Sequence, residues 1–284
     1  MNLSPTRLGI QLSKLWGNDN LPVDVKQVAI EYSRQRYPEE PITKIVPFSE
    51  QGFEGGLFKS KGGWVILYNP EATVGRQNFT IAHELGHYLL HREIKVEFQC
   101  TQKNISVGYA DDENYQQMER EADTFATYLL MPADDLREQT YGREISVELF
   151  SSCAKRYGTS LLAVILRWIE ITEYLALLIV SIDGFILWSS SSKKALKRNV
   201  YKRSGEEIPP DSLAAMVSDN TIQTNLDGGL RHEPGVWFSR YGVHEFCVSS
   251  DKYDMQISVL KINFNEAPVF DEEDEEGELI LPNF

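Results

Sequence analysis

The stretch from Asn78 to His91 constrains this chain more than any other. At about 100° per residue, Ile81, Ala82, Leu85, Tyr88 and Leu89 fall on one face, the periodicity of an amphipathic helix. His83 and His87 lie on nearly the opposite face, with Glu84 between that face and the stripe. Residues i and i+4 of a helix are neighbours, so His83-Glu84-Leu85-Gly86-His87 is an H-E-x-x-H signature whose imidazoles can reach one Zn²⁺. The glutamate beside them can take a proton from a water activated at the metal. A surface face would normally carry lysines and glutamates, whereas two of only five histidines coincide here.

A catalytic zinc takes three protein ligands and keeps a position open. His91 is one turn beyond His87, but the eight residues from His83 span about 12 Å of helix, too far for both to hold one ion. The longer H-E-x-x-H-x-x-G-x-x-H pattern also fails, because Leu90 and Glu93 stand where it needs glycine and the third histidine. His91 therefore reads as a helix-end histidine at its favourable dipole position. A carboxylate from a second helix, about Tyr115 to Leu130 and closed by Pro132, is the alternative. Met118, Ala122, Phe125, Ala126 and Leu129 give that helix its apolar stripe, and Glu119 and Glu121 flank it on opposite sides. Periodicity does not choose between them. Asp123 favours Glu119, being four residues later on the same side, where it can accept the free N–H of a liganding histidine and fix its tautomer. Glu121 reads as a solvated helix charge.

Elsewhere the patterns are those of an α+β protein. Residues 22 to 37 read as a helix ended by Pro38, residues 62 to 69 as a strand, and further helices continue through about 145 to 172. Near 174 the character changes. Leu175 to Ser181 and Phe185 to Ser189 flank Ile182-Asp183-Gly184, a strong hairpin signal. Strand-like runs follow at Val236 to Phe238, Glu245 to Ser249 and Gln256 to Phe264. The expected organisation is a metal-motif domain over 1–144, a helical segment over 145–172, a smaller α+β domain over 173–270, and an acidic tail over 271–284.

Composition narrows the function. A net charge of −14, with seven acids between Asp271 and Glu278, argues against an extended polyanion-binding surface. Cys100, Cys153 and Cys247 stand far apart, with neither the pairs of a disulfide framework nor a thiolate zinc site. The N-terminus lacks a signal-peptide pattern, and the greasiest stretch, Leu161 to Ile182, is interrupted by Arg167, Glu170 and Glu173. A cytoplasmic protein is expected. Ala154, Gly158 and Val164 suit a helix-turn-helix bend. Its second helix offers Leu161, Leu162, Ala163, Val164, Ile165, Leu166 and Trp168, with Arg167 the only long cation, so a structural bend is expected rather than a DNA reader. The basic stretch Lys193, Lys194, Lys197, Arg198, Lys202 and Arg203 reads as a solvated helix face.

The runs Arg76 to His91, Glu119 to Ala126 and Leu129-Leu130-Met131-Pro132 resemble the ImmA/IrrE family of gluzincin-like zinc metallo-endopeptidases, over roughly residues 20 to 170. That resemblance implies one zinc per chain held by His83, His87 and Glu119, with Glu84 as the base and Asp123 at the acidic or amide position of the second motif. It also implies a substrate: helix-turn-helix repressors, cut so that a stress response or a mobile element is switched on. Some members carry a GAF-like C-terminal domain, so residues 173–270 are expected to be a GAF- or PAS-type sensor with a small-molecule ligand. A strand at 64 to 68, were it an edge near the zinc, could pair with an extended substrate. Tyr109, Tyr115, Tyr141 and Arg143 are the unranked oxyanion candidates. Two other readings remain open: a metal-binding regulator that sequesters a partner, as in a toxin–antitoxin pair, and a hydrolase of non-peptide substrates. The intact Glu84 argues against the first, since a structural zinc needs no base.

Overall fold

A computed structural model describes residues 4–101, 113–218, 228–250 and 255–263. Two units emerge, Met1–Glu173 with Ser190–Tyr201, and Tyr174–Ser189 with Lys202–Phe284. In the first unit α1 (Pro5–Trp16) starts with proline in its first turn and Ser4 as its cap. α2 (Val25–Arg36) begins after Pro22, where the Asp24 carboxylate accepts from the Gln27 N–H at 3.0 Å.

β1 (Ile42–Pro47), β2 (Phe53–Ser60), β3 (Gly63–Tyr68) and β4 (Glu97–Thr101) form one sheet in the order β1-β3-β2-β4. β2 and β3 are a hairpin, β1 joins β3 in parallel, and β4 joins β2 antiparallel. The strand expected at 62 to 69 is therefore not an edge. Both sides of its backbone are taken by β1 and β2, and the edges are β1 and β4. Alternation turns Trp64, Ile66 and Tyr68 of β3 inward with Phe53 and Leu57 of β2. Each such buried side chain contributes about 1.5–3 kcal/mol relative to exposure.

α3 (Val74–His91) starts a turn earlier than the periodicity indicates, because Thr73 caps it. Its apolar stripe, Ile81, Ala82, Leu85, Tyr88 and Leu89, is buried as expected. Its opposite face is buried as well, since α4 (Glu113–Leu130) packs along it. Gly86 sets the spacing. A Cβ there would come within 3.0 Å of Phe125 Cδ1 and 3.1 Å of Ala122 Cα. The polar face of α3 thus looks into the protein, which an amphipathic pattern does not reveal.

α5 (Ala133–Thr140), α6 (Val147–Tyr157) and α7 (Leu161–Ile171) follow. Gly158, at φ 60°, supplies the left-handed residue that ends α6 and makes the bend. Buried Asp135 holds the group together, accepting two hydrogen bonds from Arg156 and one from Tyr157, all at 2.7 Å. Arg167, the one long cation of α7, is buried; it donates to Met131 O and to Glu170 and lies over the Tyr128 ring. The second helix of the bend therefore presents no exposed cation. α8 (Lys193–Leu196) is a single turn, so the basic stretch is not the helix face expected of it. Lys194 pairs with Glu173 at 3.1 Å.

The second unit is an antiparallel sheet of β5 (Ala176–Ile182), β6 (Phe185–Ser191), β7 (Leu230–His232), β8 (Gly242–Ser250) and β9 (Met255–Asn263), in the order β6-β5-β9-β8-β7, with α9 (Leu213–Ser218) between β6 and β7. Asp183 and Gly184 both have positive φ, 50° and 80°, as a two-residue hairpin requires. Val236 to Phe238 is not a strand. The segment turns back at Gly235 (φ 111°), whose N–H donates to Phe238 O at 2.8 Å. Mixed α and β structure is thus as expected. Among the described residues no helix is long and apolar enough to cross a membrane. Cys153 and Cys247 are free and buried. The acidic tail, Tyr109 and Phe264 lie outside the described residues.

Candidate metal centre

α3 and α4 bring His83, His87 and Glu119 together; one ligand atom of each lies within 4.8 Å of the others. The two Nε2 atoms are 3.0 Å apart. His83 Nε2 is 3.3 Å from Glu119 Oε2, and His87 Nε2 is 3.2 Å from Glu119 Oε1. The remaining ring nitrogens point outward. His83 Nδ1 lies 2.8 Å from Asp123 Oδ1, and since a carboxylate can only accept, that nitrogen carries the proton. His87 Nδ1 faces His91 Nδ1 at 3.1 Å.

Protons spent on Nδ1 leave lone pairs on Nε2. Two imidazole lone pairs and a carboxylate then converge, acceptor against acceptor, which is favourable only around a cation. Two histidines and a glutamate are the donor set of a zinc site with an open position, so the residues fit the metal that the motif implies. Burial pushes His87 down to about 4, more than its contacts with Glu119 raise it, so it is a neutral imidazole at pH 7. Burial acts on Glu119 in the opposite sense, but in metal-free protein an Nε2–H on His83 or His87 donates to the carboxylate, which outweighs burial and holds the carboxyl well below its usual range. The arrangement of acceptors alone is the one a cation selects.

Glu84 is fully buried beneath β2. Glycine at position 55 makes the room, for a Cβ there would run into Thr80 and stand 3.2 Å from Glu84 Oε1. Phe98 of β4 stacks on the His87 ring at 4.3 Å with a 17° interplanar angle, so that edge strand passes over the centre.

Two residues depart from their sequence reading. Glu121 is only partly solvated and is not a lone surface charge: Oε2 is 3.0 Å from His91 Nε2 and Oε1 accepts from Gln117 at 2.7 Å. His91 does end α3, but its imidazole is buried between His87 and Glu121 and not turned to the helix dipole. The signal that could have found both is the second four-residue step, His87 to His91, which repeats the step from His83. Of the oxyanion candidates, Tyr115 is buried with Lys95 over its ring, whereas Tyr141 and Arg143 are exposed after α5.

A helix bearing H-E-x-x-H, backed by a small sheet and joined by a carboxylate from the next helix, is an architecture of the metallopeptidase class. Comparison with known proteins finds the same class for one domain of the chain. Residues 40–168 match the model of the Peptidase_M78 family, described as the IrrE N-terminal-like domain, which supports the resemblance of that domain to the ImmA/IrrE family. No curated protein matches by sequence. A Mycobacterium tuberculosis transcriptional regulator is similar in fold, with a TM-score of 0.52 at 12% identity, over 90% of this chain and 76% of that one.

Proposed function

We propose that this chain is a cytoplasmic zinc-dependent endopeptidase that cleaves a helix-turn-helix transcriptional repressor, switching on a stress response or a mobile element. The observation that carries the chemistry is the convergence of His83, His87 and Glu119 beside Glu84. His83, His87 and Glu119 would hold the ion and Asp123 would orient His83. When bound, zinc lowers the pKa of water towards about 7 and polarises a carbonyl. Glu84, kept in place under Gly55, takes the proton of the attacking water and passes it to the leaving amine. An extended substrate segment pairs along the β4 edge, above His87, in place of the interior strand β3.

The regulatory half of the reading rests on the family match of residues 40–168 and is in keeping with the name of the Mycobacterium tuberculosis relative in fold. Within it, residues 1–144 are the peptidase, 145–172 a structural helix-turn-helix segment, 173–270 a GAF- or PAS-type sensor of a small molecule, and 271–284 an acidic tail. The buried Arg167 and apolar α7 support a structural role for the bend, with direct DNA contact absent from it.

The test is to mix the zinc-loaded protein with the repressor-like protein encoded nearest to it and follow intact masses, with Glu84→Gln alongside. Two complementary fragments are expected from the wild type. The variant should keep its metal and lose about 10²–10⁴-fold in rate, the usual contribution of a general base. Cleavage retained in the variant would overturn the role of Glu84; a stable uncut complex with the wild type would favour sequestration.

A further inference from the structure

We propose that His91 and Glu121 are positioning residues for His87, a paired outer support that sets which of its nitrogens is free for the metal; the assignment rests on the metal reading above. The two ring nitrogens of buried His91 have one partner each: Nδ1 faces His87 Nδ1 at 3.1 Å, and Nε2 faces Glu121 Oε2 at 3.0 Å. Two facing Nδ1 atoms can share a single proton. Either His87 donates it and keeps a lone pair on Nε2, or His91 donates it and His87 must carry its own proton on Nε2, pointing at His83 and Glu119.

Glu121 decides between these arrangements. Its carboxylate only accepts, so His91 carries its proton on Nε2 and offers a lone pair at Nδ1. His87 then donates Nδ1–H to His91 and turns the Nε2 lone pair to the centre. Phe98 packs against both rings, 4.3 Å from His87 and 6.1 Å from His91 between centroids, and limits their rotation. His83 obtains the same result directly from Asp123. Each ligand imidazole is therefore backed by a carboxylate of α4, one in contact and one through an intervening histidine.

The test uses the full-length protein. Zinc affinity is measured by competition with a chromogenic chelator, and the site is read from the visible absorption of the Co²⁺-loaded form. His91→Leu removes the acceptor and keeps bulk; Glu121→Leu removes the group that sets proton polarity at a partly exposed position, so folding is secure even where the buried variant fails. Both should weaken zinc binding about 10–100-fold, the usual effect of losing such a support, and change the cobalt spectrum. His91→Asn, whose amide oxygen can stand in for Nδ1 as acceptor, should restore both readouts. Folded Leu variants with wild-type affinity and spectrum, or an Asn variant as impaired as His91→Leu, would overturn the proposal. A wild type that binds neither metal would instead bring down the metal reading, and this inference with it.

Discussion

Each unit buries a cluster of histidine and glutamate side chains, and the two clusters are built in opposite senses. In the second unit, fully buried Glu245 accepts from the Leu213 and Ala214 N–H groups at 3.0 and 3.1 Å, from Ser258 Oγ at 2.9 Å, and from Trp237 Nε1 at 2.7 Å. His232 Nε2 completes the set at 2.8 Å. Donors surround an acceptor, and the cluster closes on itself while tying α9, β7, β8 and β9 together. In the first unit the atoms that converge, two imidazole Nε2 and a carboxylate, can all serve as acceptors at once, a balance that only a cation completes. Burial of polar groups is common to both. What separates a fold-holding cluster from a ligand-holding one is whether donors and acceptors balance without an added ion.

The largest expected effect is on stability. Glu245→Leu would strand several buried donors at once and should cost the second unit about 3–5 kcal/mol, the range for breaking a buried charged pair. Glu119→Gln in metal-free protein keeps a side chain that can accept from or donate to the two imidazoles, so it should change stability by no more than about 1 kcal/mol. Urea titrations of both variants decide the matter; equal destabilisation would erase the distinction drawn between the clusters.

A second expectation concerns pH. His87 titrates near 4 in the folded protein, below its ordinary 6.5, because burial disfavours its charged form. As pH falls from 6.5 towards 4 the unfolded chain takes up this proton and the folded chain does not. Stability from this group is complete above pH 6.5 and is lost through that window, by up to about 1.4 kcal/mol per pH unit. Metal-free wild type should show this slope and His87→Gln should lack it. A slope unchanged by the substitution would mean that another group sets it.

The smallest effect sharpens the comparison within the candidate metal centre. Asp123 has a side chain 57% exposed, whereas His91 has one 3% exposed. Water can replace the carboxylate at His83, so Asp123→Ala should weaken zinc binding by about tenfold at most, the lower end of such losses. A larger loss than in His91→Leu would reverse the ranking of the two supports.

Much of this was legible in the residues, wherever the cause is local. The 3.6-residue stripe and the four-residue step place His83, Glu84 and His87 on one helix. Asp183-Gly184 makes its hairpin because both positions need positive φ, and Gly158 makes its bend for the same reason. Val236 to Phe238 misled, since β-formers in a short run say nothing of the turn that Gly235 imposes on them.

By itself, then, the sequence determined the metal-motif helix, its capped neighbours, the turns and the mixed α and β character, because each depends on contacts a few residues apart. The tertiary structure decided what depends on distant surfaces meeting. The approach of α3 and α4 across Gly86 selects Glu119 for the centre and sends Glu121 to His91. Strand order makes β3, the strand read at 62 to 69, interior and gives the edge to β4, which the sequence reading did not mark as a strand. Glu245, one acid among many in the sequence, becomes a hub only where α9, β7 and β9 fold around it. Helical and strand periods say which face a side chain is on; only packing says what that face meets.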